Sequence, residues 1–262
     1  MNPRLVLQTG IYGYGILGQR AETDLEGTLD AIRTAGYDGL EVMSSLLGDP
    51  ARLRDACAER GLDTVAVHLF WHELDDFSWE TLRELACDRL ILSGLPVDSV
   101  ASTLDTLPAL RDHVARAADV GARVAVHNHE EEARPLHDGR TPLEILCAET
   151  APEELGFVVD LHWASVAGAL ERTLKATAGR CDYLHIKDGL IADPEAPHSF
   201  DLGTGEVELV HGWSTARSTG TIAVTAVERA MPAPDLPAAL QHDAEFTRQL
   251  WHTGTAQTEA RP

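Results

Sequence analysis

Long apolar runs and positive charge are both scarce in this chain of 262 residues. No apolar run approaches the roughly 20 residues that a membrane-spanning helix requires, and residues 1–4 do not begin a signal-peptide-like apolar stretch. We therefore predict a cytoplasmic protein without a membrane partner. Lys and Arg number 21 against 42 Asp and Glu, for a formal net charge of −21. Because this field repels phosphate backbones, we expect no nucleic-acid partner.

Cysteine is also scarce, and a dinucleotide-binding motif is missing. The four cysteines form no CxxC pair, so we interpret them as reduced thiols rather than as disulfides or a zinc site. No GxGxxG sequence follows the first apolar run, which disfavours the competing doubly wound open sheet.

Short apolar runs alternate with amphipathic helical patterns along the chain. In most of these repeats a glycine precedes the run, as expected where a helix ends in a left-handed residue; these glycines are Gly36, Gly61, Gly121, Gly179 and Gly220. The eight runs lie at 5–7, 39–42, 64–68, 89–92, 123–127, 157–160, 183–187 and 222–228. Eight such units predict a single-domain (β/α)8 TIM barrel over residues 1–252. We expect a disordered tail over residues 253–262, because that segment is small and polar.

Polar side chains collect where the apolar runs end, at the catalytic end of such a barrel. They are His68, His127, His129, Asp160, His185, Lys187 and Glu228. Clustered carboxylates repel one another unless a cation lies between them. Two carboxylates with one or two imidazoles suit Mn²⁺, Co²⁺, Fe²⁺ or Zn²⁺. A lone histidine at such a position is more often a hydrogen-bonded structural group, and a lone carboxylate more often caps the next helix.

Several short motifs resemble one known family. Residues 185–189 read HIKDG, 156–160 read GFVVD, 202–207 read LGTGEV and 36–41 read GYDGLE. Their order and spacing resemble the sugar phosphate isomerase/epimerase family, which comprises xylose isomerase-like barrels of the AP endonuclease family 2 superfamily. Residues 127–132, HNHEEE, resemble an HNH-variant subgroup.

The resemblance implies a divalent metal, most often Mn²⁺, with Co²⁺, Fe²⁺, Mg²⁺ or Zn²⁺ as alternatives. The motifs place Asp160, His185 and Glu228 at three ligand positions, and His127 stands where the family has a fifth-strand glutamate. Trp163 stands where many members have histidine, and either stacks on a sugar or packs in the core. Glu132 either supplies a carboxylate to the substrate or is a solvated surface residue.

The implied chemistry is proton abstraction beside a carbonyl, through a metal-stabilised enediolate. Candidate bases are Glu228, His129 and Lys187, and Lys187 is alternatively an ion-pair partner of a carboxylate such as Asp188. His68 and Glu41 are candidate substrate ligands or local structural groups. Reprotonation gives an isomerase or epimerase. Loss of a β-leaving group instead gives a dehydratase or lyase acting on a keto-sugar or inosose.

The sequence is also compatible with two other classes of protein. AP endonucleases share the barrel, but they need more histidines, including one at position 163, and they bind DNA. A sugar-binding barrel without catalysis is the second class. We expect a small sugar-like substrate, with a slight preference for an unphosphorylated one, and a helix near residues 236–250 that would support a homodimer.

Overall fold

Eight parallel strands close into a barrel in the computed structural model, which describes residues 2–13, 24–194 and 200–253. The strands are β1 (Arg4–Gln8), β2 (Gly39–Met43), β3 (Asp63–Phe70), β4 (Arg89–Ser93), β5 (Arg123–His127), β6 (Gly156–Asp160), β7 (Cys181–Ile186) and β8 (Val224–Val227). Each strand pairs with the next one along the chain, and β8 pairs with β1 through Leu5 and Thr225. The predicted (β/α)8 barrel is confirmed.

Helices connect the strands and cover the outside of the barrel. The α-helices in the described residues are α1 (Leu25–Ala35), α2 (Pro50–Glu59), α3 (Glu80–Glu84), α4 (Val100–Asp119), α5 (Glu130–Ala133), α6 (Pro142–Glu149), α7 (Leu161–Val166), α8 (Leu170–Ala176), α9 (Leu209–Thr219) and α10 (Leu236–His252). Leu29 and Ile32 of α1 are fully buried against the strands, as their helical spacing predicts. None of these helices is both long and apolar enough to span a bilayer.

Glycine ends several of these helices, as the sequence predicts. Gly36 follows α1 with φ 102°, and its N–H donates to the carbonyls of Ile32 and Arg33. Gly121 precedes β5 with φ 82°, and both residues are in the left-handed region that glycine adopts at little cost. Gly220 is different, because its φ of 175° is extended backbone.

The barrel interior is filled by side chains of alternate strand residues. Val158, Tyr183 and Ala226 belong to an inner cluster that also contains Val6, Val65, Ala66, Ile91, Ala125 and Val224. The residue two positions later in a strand points to the same side. This alternation places the polar strand-end residues directly above the inner cluster, at the C-terminal end of the barrel.

Two further predictions concern the cysteines and the C-terminal tail. All four cysteines are free thiols; Cys57, Cys87 and Cys181 are buried and Cys147 is half-buried. The tail predicted for 253–262 lies outside the described residues apart from Thr253. The domain boundary at residue 252 therefore stays a prediction.

Candidate active site

Four side chains converge where β5, β6, β7 and β8 end. His127, Asp160 and His185 are the last or next-to-last residues of their strands, and Glu228 follows β8 directly. Each offers one ligand atom, and these atoms all lie within 4.8 Å of one another. They are the four residues that the sequence predicts as metal ligands, and the structure brings them together on one side of the barrel.

Several atoms of this cluster are buried without a partner. Both ring nitrogens of His127 and Oδ2 of Asp160 lack a hydrogen bond among the described residues, although both side chains are completely inaccessible. The 3.7 Å between His127 Nε2 and Asp160 Oδ2 is too long for a hydrogen bond. Leaving such groups unpaired costs about 1–3 kcal/mol each. Two imidazoles and two carboxylates arranged in this way fit a divalent cation.

Oppositely charged side chains in and around the cluster shift the pKa values of His185 and Glu228. Burial disfavours the charge of His185, but Glu41 and Glu228 outweigh it and raise the pKa of His185 to about 10. Burial also opposes ionisation of Glu228, yet Lys187 and His185 hold its pKa well below the usual range. Lys187 Nζ donates to Glu228 Oε1 at 2.9 Å. Without a metal, protonated His185 therefore supplies positive charge beside Glu228. A bound cation would supply that charge instead, and His185 would lose its proton to bind it.

His127 differs from His185 in charge, although both are completely buried. Burial, followed by the positive charge of His185, lowers the pKa of His127 to about 3. His127 is therefore a neutral imidazole with a lone pair available for a metal. The two rings lie close together, with centroids 4.4 Å apart.

Glu41 lies beneath the cluster, inside the barrel. Its side chain is completely buried and accepts hydrogen bonds from His68 Nδ1 at 2.7 Å, Tyr183 Oη at 2.7 Å and His185 Nε2 at 2.9 Å. Burial opposes its ionisation, but His185 and His68 hold its pKa well below the usual range. Glu41 does not line the cavity above the cluster, so the structure does not place it as the predicted substrate ligand.

A cavity of about 610 Å³ opens above the four candidate ligands. It is lined by Gln8, Gly10, Met43, Ser44, Ser45, His68, Phe70, Ser93, His129, Trp163, Lys187, Pro194, Glu228, Arg229, Ala230 and Met231. This volume falls within the range of small-molecule sites. A larger cavity of about 870 Å³ lies at the other end of the barrel, but it is remote from the unpaired ligands, so we assign the chemistry to the smaller one.

Aromatic rings form one wall of this cavity. The His129 ring stacks on Phe70, with centroids 6.1 Å apart and planes 6° from parallel. Trp163 meets His129 edge to face at 5.5 Å, and Lys187 Nζ lies 4.7 Å from the centre of the Trp163 ring. Trp163 thus lines the cavity, as one of its two predicted roles requires. Burial lowers the pKa of His129, which favours its neutral form.

Glu132 is placed differently from either sequence-based expectation. Only 1% of it is exposed, so the surface interpretation is wrong, yet it does not line the cavity. Its carboxylate accepts the backbone N–H of His129 at 2.8 Å and caps α5. Burial raises the pKa of Glu132 to about 7.

Asp188 organises a loop instead of pairing with Lys187. Its carboxylate accepts backbone N–H groups of Gly189, Gly203, Gly205 and Val207 at 2.8–3.2 Å. A Cβ on Gly205 would lie 2.2 Å from Asp188 Oδ1, so only glycine fits there. The LGTGEV motif thus serves to fold the loop beside the site.

The sequence predicts no role for several other residues at the site. Gln8 Nε2 is 3.4 Å from Glu228 Oε2, and no motif marks it. Asn128 Oδ1 accepts the N–H of Asp160 at 3.1 Å and so ties the ends of β5 and β6 together. Tyr183 precedes His185 by two residues, so strand alternation could have identified it.

No family model and no curated protein sequence matches this chain. Solved structures do match, and they include xylose isomerase-like and sugar phosphate isomerase/epimerase barrels. An L-ribulose 3-epimerase has a TM-score of 0.77 at 16% identity, covering 100% of both chains. The probable 3-DHS dehydratase AsbF from Bacillus anthracis has a TM-score of 0.72 at 12% identity over 94% of this chain and 98% of that one.

A zinc-containing barrel is also similar to this chain. The IOLI protein with a bound zinc atom has a TM-score of 0.70 at 18% identity, covering 95% of this chain and 98% of that one. Identities this low establish a shared fold, and the chemistry must be argued from the site itself.

Proposed function

We propose that this chain is a divalent-metal-dependent enzyme that removes a proton beside the carbonyl of a sugar or keto-polyol. Returning the proton to a neighbouring carbon or to the opposite face yields an isomer or epimer. The single observation that carries the proposal is the set of converging atoms of His127, Asp160, His185 and Glu228, several of which are buried without a partner.

The four converging residues would hold the cation. A bound divalent ion supplies a Lewis acid that polarises a carbonyl and stabilises the negative charge of an enediolate. The family resemblance favours Mn²⁺. The two imidazoles suit Zn²⁺, Co²⁺ or Fe²⁺ at least as well, and Mg²⁺ suits them least. The zinc in the similar IOLI barrel is consistent with such a site.

His129 is the best candidate for the base. It lines the cavity, and burial lowers its pKa, which favours the neutral form that can accept a proton. Its ring centre lies 5.1 Å from that of His127, beside the proposed metal position. Glu228 is a weaker base because Lys187 and His185 stabilise its ionised form. Lys187 is better suited to hold Glu228 and to stabilise an oxyanion.

A small polyhydroxylated substrate fits the walls of the cavity. Trp163 and Phe70 offer apolar faces to sugar C–H groups, and Trp163 Nε1 lacks a partner among the described residues. His68 bonds Ser93 with its second ring nitrogen, at 3.0 Å, and lines the floor. The guanidinium of Arg229 bonds Asp201 and Asp243, which favours an unphosphorylated substrate. We place the enzyme in the cytoplasm, and a homodimer through α10 stays part of the proposal.

Elimination is the second candidate reaction, and a specific observation favours it. His127 occupies the fifth-strand position, so the site lacks the second of two facing carboxylates that a symmetrical epimerisation would use. A single base such as His129 suffices to start a β-elimination, giving a dehydratase or lyase. The dehydratase among the similar structures is consistent with this alternative.

Incubation of the protein with ketoses and oxidised cyclitols in D₂O, followed by NMR, tests the proposal. Solvent deuterium in an isomeric product supports the isomerase or epimerase. Loss of water or of another leaving group supports the dehydratase or lyase. EDTA should abolish either activity. Sugar binding that is unchanged in EDTA, with no product, would instead indicate a binding protein.

A further inference from the structure

Glu41 contacts the one proposed metal ligand that has a partner on each of its two ring nitrogens. His185 Nδ1 lies 3.0 Å from Glu228 Oε2, on the side of the candidate metal site. His185 Nε2 lies 2.9 Å from Glu41 Oε2, on the side of the barrel interior. A histidine binds a metal through a deprotonated nitrogen, and the hydrogen bond of its other nitrogen determines which one that is.

The Glu41 carboxylate is held rigidly from several directions. His68 Nδ1 bonds its Oε1 at 2.7 Å, and Tyr183 Oη bonds its Oε2 at 2.7 Å. The guanidinium of Arg89 lies 5.2 Å from the centre of the Tyr183 ring, on the side away from the active site. Glu41 itself is completely buried. The carboxylate therefore has little freedom to leave His185.

The groups around Glu41 are hydrogen-bonded to one another, whereas His127 and Asp160 of the candidate metal site keep atoms that no described residue pairs with. Glu41, His68 and His185 also lie close enough to hold an ion, but their facing atoms already pair at 2.7–2.9 Å. His127 has no partner on either nitrogen among the described residues. This contrast favours one cation, above Glu41, with Glu41 acting on it through His185.

We propose that Glu41 is a positioning residue that accepts the Nε2–H of His185 and thereby presents Nδ1 to the metal. The inference rests on the metal site of the proposed function. The sequence suggests Glu41 as a substrate ligand. In this proposal Glu41 instead bonds a metal ligand, His185, and does not touch the cation itself. Carboxylates that orient a metal-bound histidine in this way typically contribute about 10–100-fold to metal affinity.

NMR of the wild-type protein labelled with ¹⁵N-histidine and loaded with ¹¹³Cd²⁺ tests the inference with Glu41 intact. Coupling to cadmium identifies the ligating nitrogen, and a His185→Gln variant assigns the signal. We expect cadmium coupling at Nδ1 of His185 and a proton on Nε2. Coupling at Nε2, with the proton on Nδ1, would overturn the inference.

Variants at Glu41 give a second readout, Zn²⁺ affinity measured by competition with a chromophoric chelator. We expect Glu41→Leu to weaken Zn²⁺ binding by about 10–100-fold, and Glu41→Gln, which keeps one acceptor oxygen, to lose less. Glu132→Gln is the matched control, because it changes another buried carboxylate that touches no imidazole; we expect its affinity to equal that of the wild type.

The outcomes separate this inference from the proposed function. A folded Glu41→Leu variant that binds Zn²⁺ as tightly as the wild type overturns the role of Glu41 while leaving the metal enzyme intact. Equal losses in Glu41→Gln and Glu132→Gln would show that replacing any buried carboxyl group weakens metal binding, and would also overturn it. A wild-type protein that binds no divalent metal removes both proposals.

Discussion

Charged side chains gather at both ends of the barrel, but they are satisfied in different ways. At the N-terminal end of the strands, Arg89 makes two hydrogen bonds to Asp182, at 2.8 and 2.9 Å, beside the larger cavity. At the C-terminal end, His127 and Asp160 keep buried atoms that no described residue satisfies. Unpaired buried groups are costly, so unpaired polar atoms, rather than cavity size, indicate the end at which we propose the active site.

Substituting one carboxylate at each end tests whether the two ends differ in metal binding. Asp160→Asn keeps the shape of the side chain but removes a charged ligand. We expect metal affinity to fall by more than the roughly 100-fold that marks the upper range for residues outside the ligand set, and activity to fall with it. Metal content after dialysis, measured by mass spectrometry, checks this.

Asp182→Asn is the counterpart at the N-terminal end. Its carboxylate pairs only with Arg89 in the part of the chain that the structure describes, and we expect full metal content. A loss of metal equal to that of Asp160→Asn would mean that the two ends do not differ in their role in metal binding.

His129→Gln tests whether the C-terminal end contains a base as well as a cation. We expect the turnover number to fall by about 10²–10⁴-fold, the usual contribution of a general base, with metal content unchanged. Solvent deuterium exchange into the substrate, followed by NMR, measures the proton transfer itself. Exchange at the wild-type rate would transfer this role to Glu228 or Lys187.

The raised pKa of Glu132 predicts that the stability of the protein depends on pH. Its pKa in the folded protein, about 7, lies above the unfolded value near 4.5. The neutral carboxyl therefore stabilises the fold below about pH 4.5, and this contribution is lost as the pH rises through 7. As the pH rises from 5 to 8, we expect the free energy of unfolding of Glu132→Gln to increase by about 2–3 kcal/mol relative to that of the wild type. Urea titrations at the two pH values measure this, and a constant difference would contradict it.

The smallest effects belong to the ion pairs at the N-terminal end. We expect Arg89→Met to cost about 1–2 kcal/mol of stability, because Arg89 is buried while Asp182 remains partly hydrated. Arg4→Met, whose partner Asp63 is also exposed, should cost less than about 1 kcal/mol. Thermal unfolding ranks the two, and the reverse order would contradict the burial argument.

Much of the fold is predictable from the sequence, because the signals that define it are local. Buried parallel strands read as short apolar runs, and glycine marks many of the helix ends before them. The runs at 89–92 and 123–127 differ from β4 and β5 by at most one residue. The closure of β8 on β1 follows from the number of units rather than from any one of them.

The convergence of the four candidate ligands is also largely predictable, whereas the roles of their neighbours are not. Alternation along each strand identifies Asp160 and His185 as inward-facing at the same end. The partners of Glu41 come from β3 and β7, so its role depends on which side chains cross the barrel interior. The burial of Glu132 depends on how α5 packs. Its three consecutive acidic residues instead suggest an exposed segment.

The most direct test of the account is anomalous X-ray diffraction from crystals grown with Mn²⁺ or Zn²⁺. We expect one strong anomalous peak between His127, Asp160, His185 and Glu228, with ligand distances of about 2.0–2.3 Å for zinc. A structure at saturating metal in which that position stays empty and the ion lies elsewhere would contradict it.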